Sequence, residues 1–386
     1  MDMSVLVSLP LWLVFTLVGL PQFSETVYSP SLPDIAHALT TSVSMVEYTL
    51  TIYLFAFSLG MLFWGKASDF YGRKPSMLMG IVTYLIGCIA CYYSTSINML
   101  LVGRFVQAFG GSAGSVVGQA MLRDVFHGKS LSRAYAAMSS ALGVPPAIGP
   151  VVGGFVAETF GWSAVFLLLV LVAMVVMGLT AGLLPETLSH EERRHFSLWD
   201  IFKRLIGDGR VLAYTWLVGC ASGLMFSYFS EGSFFLIELF GLSPLWYGMS
   251  FVFIAVAMIA GGRLANWLHH RYESGQVLWS GVVIMVCSTG LFSLAALGNY
   301  IGLVPAGVML AITIGSQMTT MAGRCLVTST SLSVGLADYR WCSGTASSVF
   351  GFMYYMLASI FTFIIGLLHN GSVLVMPLYF FADRKS

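Results

Sequence analysis

The stretch GKASDFYGRKP, residues 65–75, contains every charged residue found between positions 48 and 103. The segments on either side of it, 44–64 and 75–94, are almost entirely apolar. A hydrocarbon core of ~30 Å needs about 20 apolar residues to be crossed by a helix, and each segment has that length. We therefore interpret 65–75 as a short polar turn between two membrane-spanning helices.

The composition of the whole chain also indicates a membrane protein. Of its 386 residues, 57% are apolar and only 9% are charged, whereas soluble domains average about 25% charged residues. This small number of charged residues cannot cover a surface that faces water. Most of the surface must therefore face the lipid bilayer. The net charge of +1 and the lack of a long basic run argue against a nucleic-acid partner.

Apolar segments of spanning length recur along the chain. We predict spans at 8–28, 44–64, 75–94, 98–122, 132–157, 162–184, 211–237, 244–266, 276–297, 301–323, 342–367 and 372–382. No basic residue precedes the first segment, so we interpret it as a retained span and not as a cleaved signal. The last segment is short, and we expect it to be tilted or partly inserted.

The basic residues predict the orientation of these spans. Every one of the 18 Lys and Arg residues except Arg104 falls on an even-numbered connection, with Arg324 assigned to the connection after span ten. By the positive-inside rule, the even-numbered connections and both termini are cytoplasmic. The longest connection, 185–210, divides the chain into two predicted domains, 1–184 and 211–386, of six spans each. Paired bundles of this kind alternate access to a site near the middle of the membrane.

The turn at 65–75 resembles the signature loop of the major facilitator superfamily, G-x-x-x-D-x-x-G-R-(K/R). The residues that carry the resemblance are Gly65, Asp69, Gly72, Arg73 and Lys74. We expect the glycines to allow a tight turn, Asp69 to lie at a helix N terminus and Arg73 to hold that carboxylate. The resemblance implies a conformational latch that docks near 344–345, at the start of span eleven. The alternative is that these are ordinary loop charges.

Two further motifs support the resemblance. In span four, RFVQAFGG at 104–111 is similar to the family's R-x-x-Q-G motif, with Ala108 where glycine is usual. In span five, GPVVGG resembles the G-P-x-x-G-G element of antiporters, through Gly149, Pro150, Gly153 and Gly154. Small residues there allow helices to approach closely, and we expect Pro150 to bend the span.

A subfamily resemblance follows from YSPSLPDIA at 28–36, which is similar to the Y-L-P-x-L-P-x-I-A segment of the Bcr/CflA drug–proton antiporters. The sequences GLSP at 241–244 and GTAS at 344–347 also fit that group. The resemblance implies an all-α polytopic membrane protein with the major facilitator fold, two six-helix bundles related by pseudo-two-fold symmetry and a short twelfth span. One position departs from the pattern: Thr26 stands where the group carries an acid, and Glu25 lies about 100° around the helix.

Charged residues at membrane depth are the candidates for proton coupling. Burying a charge costs at least ~2.5–3.5 kcal/mol on insertion scales, so such residues often mark a substrate or proton path. Our hypothesis is that Glu25 or Glu231 accepts the proton and that Arg104 tunes one of them. The alternative is a static interior ion pair. We interpret Glu47, Glu158, Glu238 and Asp34 as solvated residues at the outer span ends.

Tyr28, Gln107, Tyr228 and Tyr354 are the candidate residues for lining a substrate cavity. The seven histidines fall in connections or at span ends, so we expect neither a histidine proton relay nor a metal site. Cys88 and Cys91 form C-x-x-C inside an apolar span without a second pair, which favours a packing role over metal binding.

The leading functional hypothesis is a secondary transporter that exports small amphipathic compounds in exchange for protons. We expect a monomer in a bacterial inner membrane, with a small-molecule substrate and no cofactor besides the coupling proton. An alternative on the same fold is import or export of a siderophore or another anionic metabolite. A membrane-embedded enzyme or a scaffold is a third possibility, which the latch motif and the two-part layout disfavour.

Overall fold

Helices account for most of the chain in this computed structural model, which describes residues 9–126, 128–188, 198–336, 338–339, 343–369, 372 and 374–382. A single 3₁₀ turn, Ser29–Ser31, joins the first two helices. The helices before the long connection are α1 (Leu11–Tyr28), α2 (Leu32–Ala38), α3 (Val43–Tyr71), α4 (Arg73–Tyr92), α5 (Ile97–Val125), α6 (Gly128–Ala141), α7 (Val144–Phe160) and α8 (Trp162–Leu183).

The rest of the chain begins with a short helix inside the long connection. From there the helices are α9 (Leu198–Gly207), α10 (Gly209–Ser233), α11 (Pro244–His269), α12 (Ser274–Tyr300), α13 (Ala306–Gly335), α14 (Ser343–Leu368) and α15 (Val375–Ala382). A π-helical segment, Phe234–Leu239, continues α10.

Eight of the helices in the described residues are long and apolar enough to cross a membrane by length and composition. They are α3, α4, α5, α8, α10 with its π-helical extension, α11, α12 and α14. The segments predicted as spans one, five, ten and twelve lie outside this set. Polar residues in α1 and α13, a break between α6 and α7 and the shortness of α15 account for the difference.

Polar caps determine where several helices begin. The side chains of Ser42, Ser96 and Ser243 each accept a hydrogen bond from a backbone N–H three residues further on, at the starts of α3, α5 and α11. The Asp208 carboxylate accepts from two N–H groups at the start of α10. Each cap satisfies a backbone donor that has no partner within the helix.

The turn predicted at 65–75 is much shorter in the structure, because α3 continues through the motif to Tyr71. Gly72 alone separates α3 from α4, with a φ of 103°. This backbone conformation is one that residues with a β-carbon rarely adopt. Gly72 thus makes the turn, whereas Gly65 lies inside α3.

Span five is divided into two helices, at a place that differs from the predicted bend at Pro150. Helix α6 ends at Ala141 and α7 begins at Val144, just before Pro145 and Pro146. Proline lacks an N–H and disfavours helical backbone in the residue before it, so two successive prolines start a new helix there. Pro150 lies within α7, which continues past it to Phe160.

Successive spanning helices run in opposite directions, which gives the molecule two distinct ends. We call the end that carries Gly72, Phe126 and α9 the basic end. We call the opposite end, which carries Ser29–Ser31, Gly161 and Gly241, the far end.

Two helix pairs join the first half of the chain to the second, since α3 packs along α14 and α7 packs along α11. The largest buried apolar cluster lies on the first of these contacts and includes Phe57 of α3, Phe226 of α10 and Tyr355 of α14. Two smaller clusters are built mainly from the first half, around Leu17 towards the basic end and around Val27 towards the far end, where Phe234 of the second half joins the cluster. The domain division at 185–210 stays a prediction.

Candidate functional site

Arg104 of α5 is fully buried between two aromatic rings. Its guanidinium carbon lies 4.3 Å from the centroid of the Tyr28 ring and 4.2 Å from that of the Tyr53 ring. Each such contact stabilises a desolvated cation by up to about 2 kcal/mol. Because both faces of the guanidinium are covered, only its edges are left for hydrogen bonds.

One edge of Arg104 is bound and the other is free. Its Nη1 donates to Oε1 of Gln107 at 2.6 Å, and Nε2 of Gln107 donates to Sγ of Cys88 at 3.1 Å. The three-residue spacing of the R-x-x-Q motif places Arg104 and Gln107 one turn apart on one face of α5. Among the described residues, Nε and Nη2 of Arg104 have no hydrogen-bond partner. The site therefore offers two buried donors to an acceptor.

Glu25 of α1 is the carboxylate next to this cation. Its side chain is buried, with the residue 2% exposed, and the charge of Arg104 acts on it. No hydrogen bond or ion pair joins Glu25 to another residue in the described part of the chain. A buried carboxylate without a partner is costly, so a proton or a cationic ligand would stabilise it.

The charge of Glu25 acts on aromatic residues of both halves, namely Tyr53 of α3 and the pair Tyr354 and Tyr355 of α14. The two rings of the α14 pair lie 4.6 Å apart, and the charge of Arg324 in α13 acts on them as well. The aromatic pair is therefore within electrostatic range of charged residues from both halves.

The assignment of Arg324 to a connection is wrong. Helix α13 continues beyond it to Gly335, and Nε of Arg324 is buried without a partner among the described residues. The Ser- and Thr-rich sequence after it looks like a loop, but hydroxyls there bond to carbonyl groups of their own helix. Thr328 donates to the Arg324 carbonyl at 2.9 Å, and Thr330 donates to that of Leu326 at 2.8 Å.

Two of the four candidate cavity residues lie at Arg104. Tyr28 covers one face of the guanidinium and pairs its hydroxyl with Oγ1 of Thr49 at 2.8 Å, while Gln107 binds its edge. Tyr228 lies elsewhere, packed on the Phe251 ring with 5.6 Å between centroids. Tyr53, which completes the sandwich, was not predicted, because no feature of the sequence distinguishes it from the many other aromatic residues.

Glu231 pairs with a histidine and not with Arg104. Both of its carboxylate oxygens lie within hydrogen-bonding distance of Nδ1 of His369, at 2.8 and 3.0 Å. Glu47 lies beside them, fully buried, and its Oε1 accepts a hydrogen bond from Ser230 at 3.3 Å.

One prediction about these residues is therefore wrong. Glu47 is not a solvated boundary residue, because the start of α3 packs against the end of α10. His369 lies directly after α14, at a span end as predicted, and it reaches Glu231 from there. Glu158 and Glu238 are exposed, as predicted, and Asp34 is half-buried.

The signature motif forms a charged cluster around Arg73 at the basic end. Its Nη1 donates to Asp69 at 2.6 Å and to Oγ of Ser68 at 2.8 Å. Its Nε and Nη2 donate to the two carboxylate oxygens of Asp124, at 2.8 and 3.3 Å. Asp124 is the more buried of the two acids, with its side chain 17% exposed against 42% for Asp69. The sequence had not identified Asp124 as a partner.

The carboxylate at the N terminus of α4 is that of Glu186, and not that of Asp69 as expected. Its oxygens accept from the backbone N–H of Arg73 at 2.9 Å and from that of Lys74 at 3.1 Å. A β-carbon at Gly72 would lie 2.6 Å from Oε2 of Glu186. Gly72 is thus required both for the turn and for this close approach.

The motif also touches α14 of the second half. A β-carbon at Gly65 would lie 3.5 Å from Oγ of Ser348, and Nη1 of Arg123 donates to Oγ of Ser347 at 3.5 Å. The predicted docking position, 344–345, lies in the first turn of α14. The contacts seen are with the first turns of α14.

The GPVVGG element lies where α7 meets both α1 and α11. A β-carbon at Gly149 would collide with Thr26, and one at Gly153 would collide with the Val27 carbonyl group. On the other face, a β-carbon at Gly154 would collide with the Pro244 carbonyl oxygen, and Gly248 of α11 lies just as close to the Pro150 carbonyl oxygen. The element therefore brings backbone from both halves into contact at the far end.

Comparison with known proteins agrees with this geometry. The Major Facilitator Superfamily model matches residues 14–363. An uncharacterized transporter of Rickettsia bellii is 32% identical over 375 residues, which cover 96% of this chain and 93% of the relative. The bicyclomycin resistance protein homolog of Haemophilus influenzae is 28% identical over 88% of this chain and 84% of its own length.

A solved structure shares the fold. The xylose transporter XylE from E. coli, in a partially occluded inward-open conformation, superposes with a TM-score of 0.77 at 11% identity and covers 98% of this chain and 95% of that one. The predicted fold class, an all-α polytopic protein with two six-helix bundles, is confirmed. So is the prediction that the chain is not an enzyme. The chain is a multi-pass membrane transporter that belongs to the Major Facilitator Superfamily and resembles its Bcr/CflA group.

Proposed function

We propose that the chain exports small amphipathic compounds in exchange for protons, by alternating access. The observation that carries the proposal is the buried Glu25 carboxylate, which has no hydrogen-bond or ion-pair partner among the described residues and interacts electrostatically with Arg104 and with the aromatic pair of α14. The named H. influenzae relative, a bicyclomycin resistance protein homolog, supports a drug-like cargo. We place the protein in a bacterial inner membrane as a monomer, with both termini in the cytoplasm and no cofactor besides the proton.

Competition at Glu25 would couple the two movements. Burial destabilises ionised Glu25, and the charge of Arg104 offsets this only in part, so the carboxyl group keeps its proton until a cargo takes the place of that proton. A cationic or amphipathic cargo that binds near the carboxylate then replaces the proton. Return of the proton displaces the cargo, and the two never occupy the carboxylate together.

In this cycle, the contacts between halves would open and close in turn. The Arg73 cluster with Gly65 would act as the latch at the basic end. The contact between Gly154 of α7 and Pro244 of α11 would act at the far end. The empty hydrogen-bonding capacity of Arg104 would serve cargo that carries an acceptor group.

Transport in proteoliposomes with an imposed pH gradient tests the proposal. We expect uphill movement of amphipathic drugs that stops when the gradient is collapsed. Glu25→Gln should abolish uphill movement while leaving passive cargo exchange. Glu158→Gln, an exposed far-end carboxylate, is the matched control and should transport normally. Uphill transport that survives in Glu25→Gln would refute Glu25 as the coupling residue.

A second candidate function is transport of an anionic metabolite such as a siderophore. It is favoured by two arginines, Arg104 and Arg324, whose Nε atoms are buried and have no partner among the described residues. The same proteoliposomes, given ferric siderophores in place of drugs, distinguish the two. Siderophore movement without drug movement would replace the primary cargo assignment.

A further inference from the structure

Three titratable side chains from three elements meet at the far end. Glu47 belongs to α3 in the first half, whereas Glu231 of α10 and His369, just after α14, belong to the second. One carboxylate or imidazole atom from each lies within 4.8 Å of the other two. Glu47 is fully buried and Glu231 is 3% exposed. We call these three residues the far-end cluster.

The geometry of the far-end cluster favours a proton between its carboxyl groups. An oxygen of Glu47 lies within 4.8 Å of an oxygen of Glu231, and two ionised carboxylates at that separation repel each other in a buried site. Protonation of one of them removes this repulsion. Oε2 of Glu47 is buried without a partner among the described residues, so the proton has a vacant position within the cluster.

His369 balances only one of the two carboxylates. Burial lowers the pKa of His369, but the hydrogen bond and charge of Glu231 raise it by more, so its pKa lies above its usual range. The protonated form of His369 forms an ion pair with Glu231, with 2.8 Å between Nδ1 and Oε2. A second carboxylate charge on Glu47 would have no counter-ion.

The surroundings add no cation that could balance this second charge. Within the described chain, the other titratable groups acting on the far-end cluster are Glu238, whose charge acts on His369, and His37, which lies 3.5 Å from Glu238. Nearby contacts between the halves are uncharged: Ser29 donates to the Phe229 carbonyl oxygen and pairs with the hydroxyl of Tyr247 at 2.8 Å.

We propose that Glu47 and Glu231 share one proton and that this proton, together with His369, holds the two halves closed at the far end. The inference rests on the proposed proton-coupled function and adds to it a second proton site, separate from Glu25. Loss of the shared proton leaves two facing carboxylates against one imidazolium. Two like charges a few ångströms apart repel strongly in a poorly hydrated interior, and the halves separate there.

The direction of the pH effect follows from the groups involved. Raising the pH removes the shared proton and then the proton of His369, and both losses weaken the far-end contact. Lowering the pH restores both. The far end should therefore be closed in acid and open in alkali, so a proton arriving from that side would close the transporter behind it.

Spin-label distances without cargo test this directly. Labels at Phe160→Cys and Trp246→Cys, both exposed at the far end on α7 and α11, report the separation of the halves. The six native cysteines are replaced beforehand by serine or alanine. We expect the far-end distance to lengthen as the pH rises from about 5 to about 9, a range that spans ordinary and raised histidine pKa values. Labels at Tyr71→Cys and Trp199→Cys monitor the basic end.

Conservative variants identify the proton. Glu47→Gln and Glu231→Gln each remove one repelling carboxylate, and a Gln at 47 can donate to Glu231 without a proton. Each variant should keep the far end closed across the whole pH range. Glu158→Gln, whose carboxylate also crosses between the halves by accepting from the Leu245 N–H at 3.2 Å, should open like the parent. At acidic pH, where the far end is closed in the parent and in the variants alike, an unaltered basic-end distance shows that each variant is folded.

Three outcomes would overturn the proposal. The first is a far-end distance that does not change with pH in the parent, and the second is normal opening in Glu47→Gln. The third is closure that is lost in EDTA and restored by a divalent cation, which would replace the proton with a metal ion. Failure here differs from failure of the proposed function: drug transport can survive an inert Glu47, and a pH-driven far end can exist without drug transport.

Discussion

The contacts of the Arg104 guanidinium depend on its planar shape as well as on its charge. Its two faces lie against Tyr28 and Tyr53, and one edge binds Gln107. Only a planar cation can fill a slot between two rings and donate in the plane at the same time. Its remaining donors point to where a ligand acceptor would be held.

Arg104→Lys should therefore impair function although it keeps the charge. The ammonium group cannot stack between the rings, and the loss of one contact worth about 1–2 kcal/mol weakens cargo binding roughly tenfold. Fluorescence titration of purified protein with a lipophilic dye measures this. Arg263→Lys, at an exposed position of α11, is the matched control. Equal affinity for Arg104→Lys and the control would show that stacking is unimportant.

Arg73 is held more firmly by Asp124 than by Asp69. Asp124 receives two charge-assisted bonds in a less exposed position. We expect Asp124→Asn to cost about 1.5–3 kcal/mol of stability and Asp69→Asn to cost below about 1 kcal/mol, as for exposed ion pairs. Thermal unfolding in detergent compares the two. A larger loss in Asp69→Asn would contradict the geometry.

Charge at membrane depth made some site residues predictable and left others hidden. Glu25, Arg104 and Gln107 stood out because ionisable groups are rare in apolar helices and because a motif placed two of them one turn apart. Glu47 and His369 were missed because both lie close to the end of a predicted span, where a side chain is expected to contact water. Burial there depends on which helices pack together at the far end, and one span does not contain that information.

At the scale of helices, α7 is the element on which contact between the halves depends. One face of its GPVVGG sequence packs on α1, and the other allows the α11 backbone to approach at Gly154 and Gly248. Contacts of this kind persist only while both partners lack a side chain. The pairing of α7 with α11 is therefore sensitive to a single methyl group.

Gly154→Ala should destabilise the closed far end. Overpacking by a methyl group typically costs about 1–3 kcal/mol, which shifts the equilibrium between closed and open about 5- to 150-fold towards open. The Phe160/Trp246 spin labels would report a longer distance, and transport would slow. Gly178→Ala in α8, where a β-carbon meets nothing within 4 Å, should change neither. An unchanged distance in Gly154→Ala would contradict close packing at this point.

The connection between the halves is anchored by Asp208, which caps α10. Burial raises the pKa of Asp208, but hydrogen bonds from Tyr339 and from two backbone N–H groups lower it by more. A depressed pKa stabilises the fold above the unfolded value, and that stability is lost as the pH falls through the folded value.

Asp208→Ala should therefore reduce stability by about 1 kcal/mol at neutral pH and by less in acid. Thermal unfolding at neutral and acidic pH measures the difference. Asp200→Ala, in the exposed first turn of α9, is the comparison. A loss in Asp208→Ala that is independent of pH would show that the cap does not act as a carboxylate.

Hydropathy predicted most helices and failed where local chemistry decides the ends. The predicted turn at 65–75 is reduced to Gly72 in the structure. The polar residues of the motif continue α3, and the helix ends only where the backbone adopts a positive φ. The serines and threonines that follow Arg324 likewise continue α13 by bonding to their own helix. A hydropathy window cannot separate such helical polar residues from a loop.

For the whole molecule, contacts between the halves exist at both ends, on either side of Glu25 and Arg104. Gly65 meets Ser348 near the basic end, and the far-end cluster joins residues of both halves at the other. Alternating access requires that only one set opens at a time. There are then two carboxylate sites for protons. Protonation of Glu25, within the helix bundle, would control cargo binding, and protonation of Glu47–Glu231, near one end, would control opening of the far end.

Proton release on cargo binding tests the exchange at Glu25 most directly. Purified protein in weakly buffered detergent, with a pH indicator, is saturated with a lipophilic dye cation while bound dye and released protons are both counted. We expect about one proton per bound dye near the pKa of the exchanging group, and none from Glu25→Gln although that variant still binds. Saturating binding without proton release in the parent, or equal release in Glu25→Gln, would contradict proton exchange at this carboxylate.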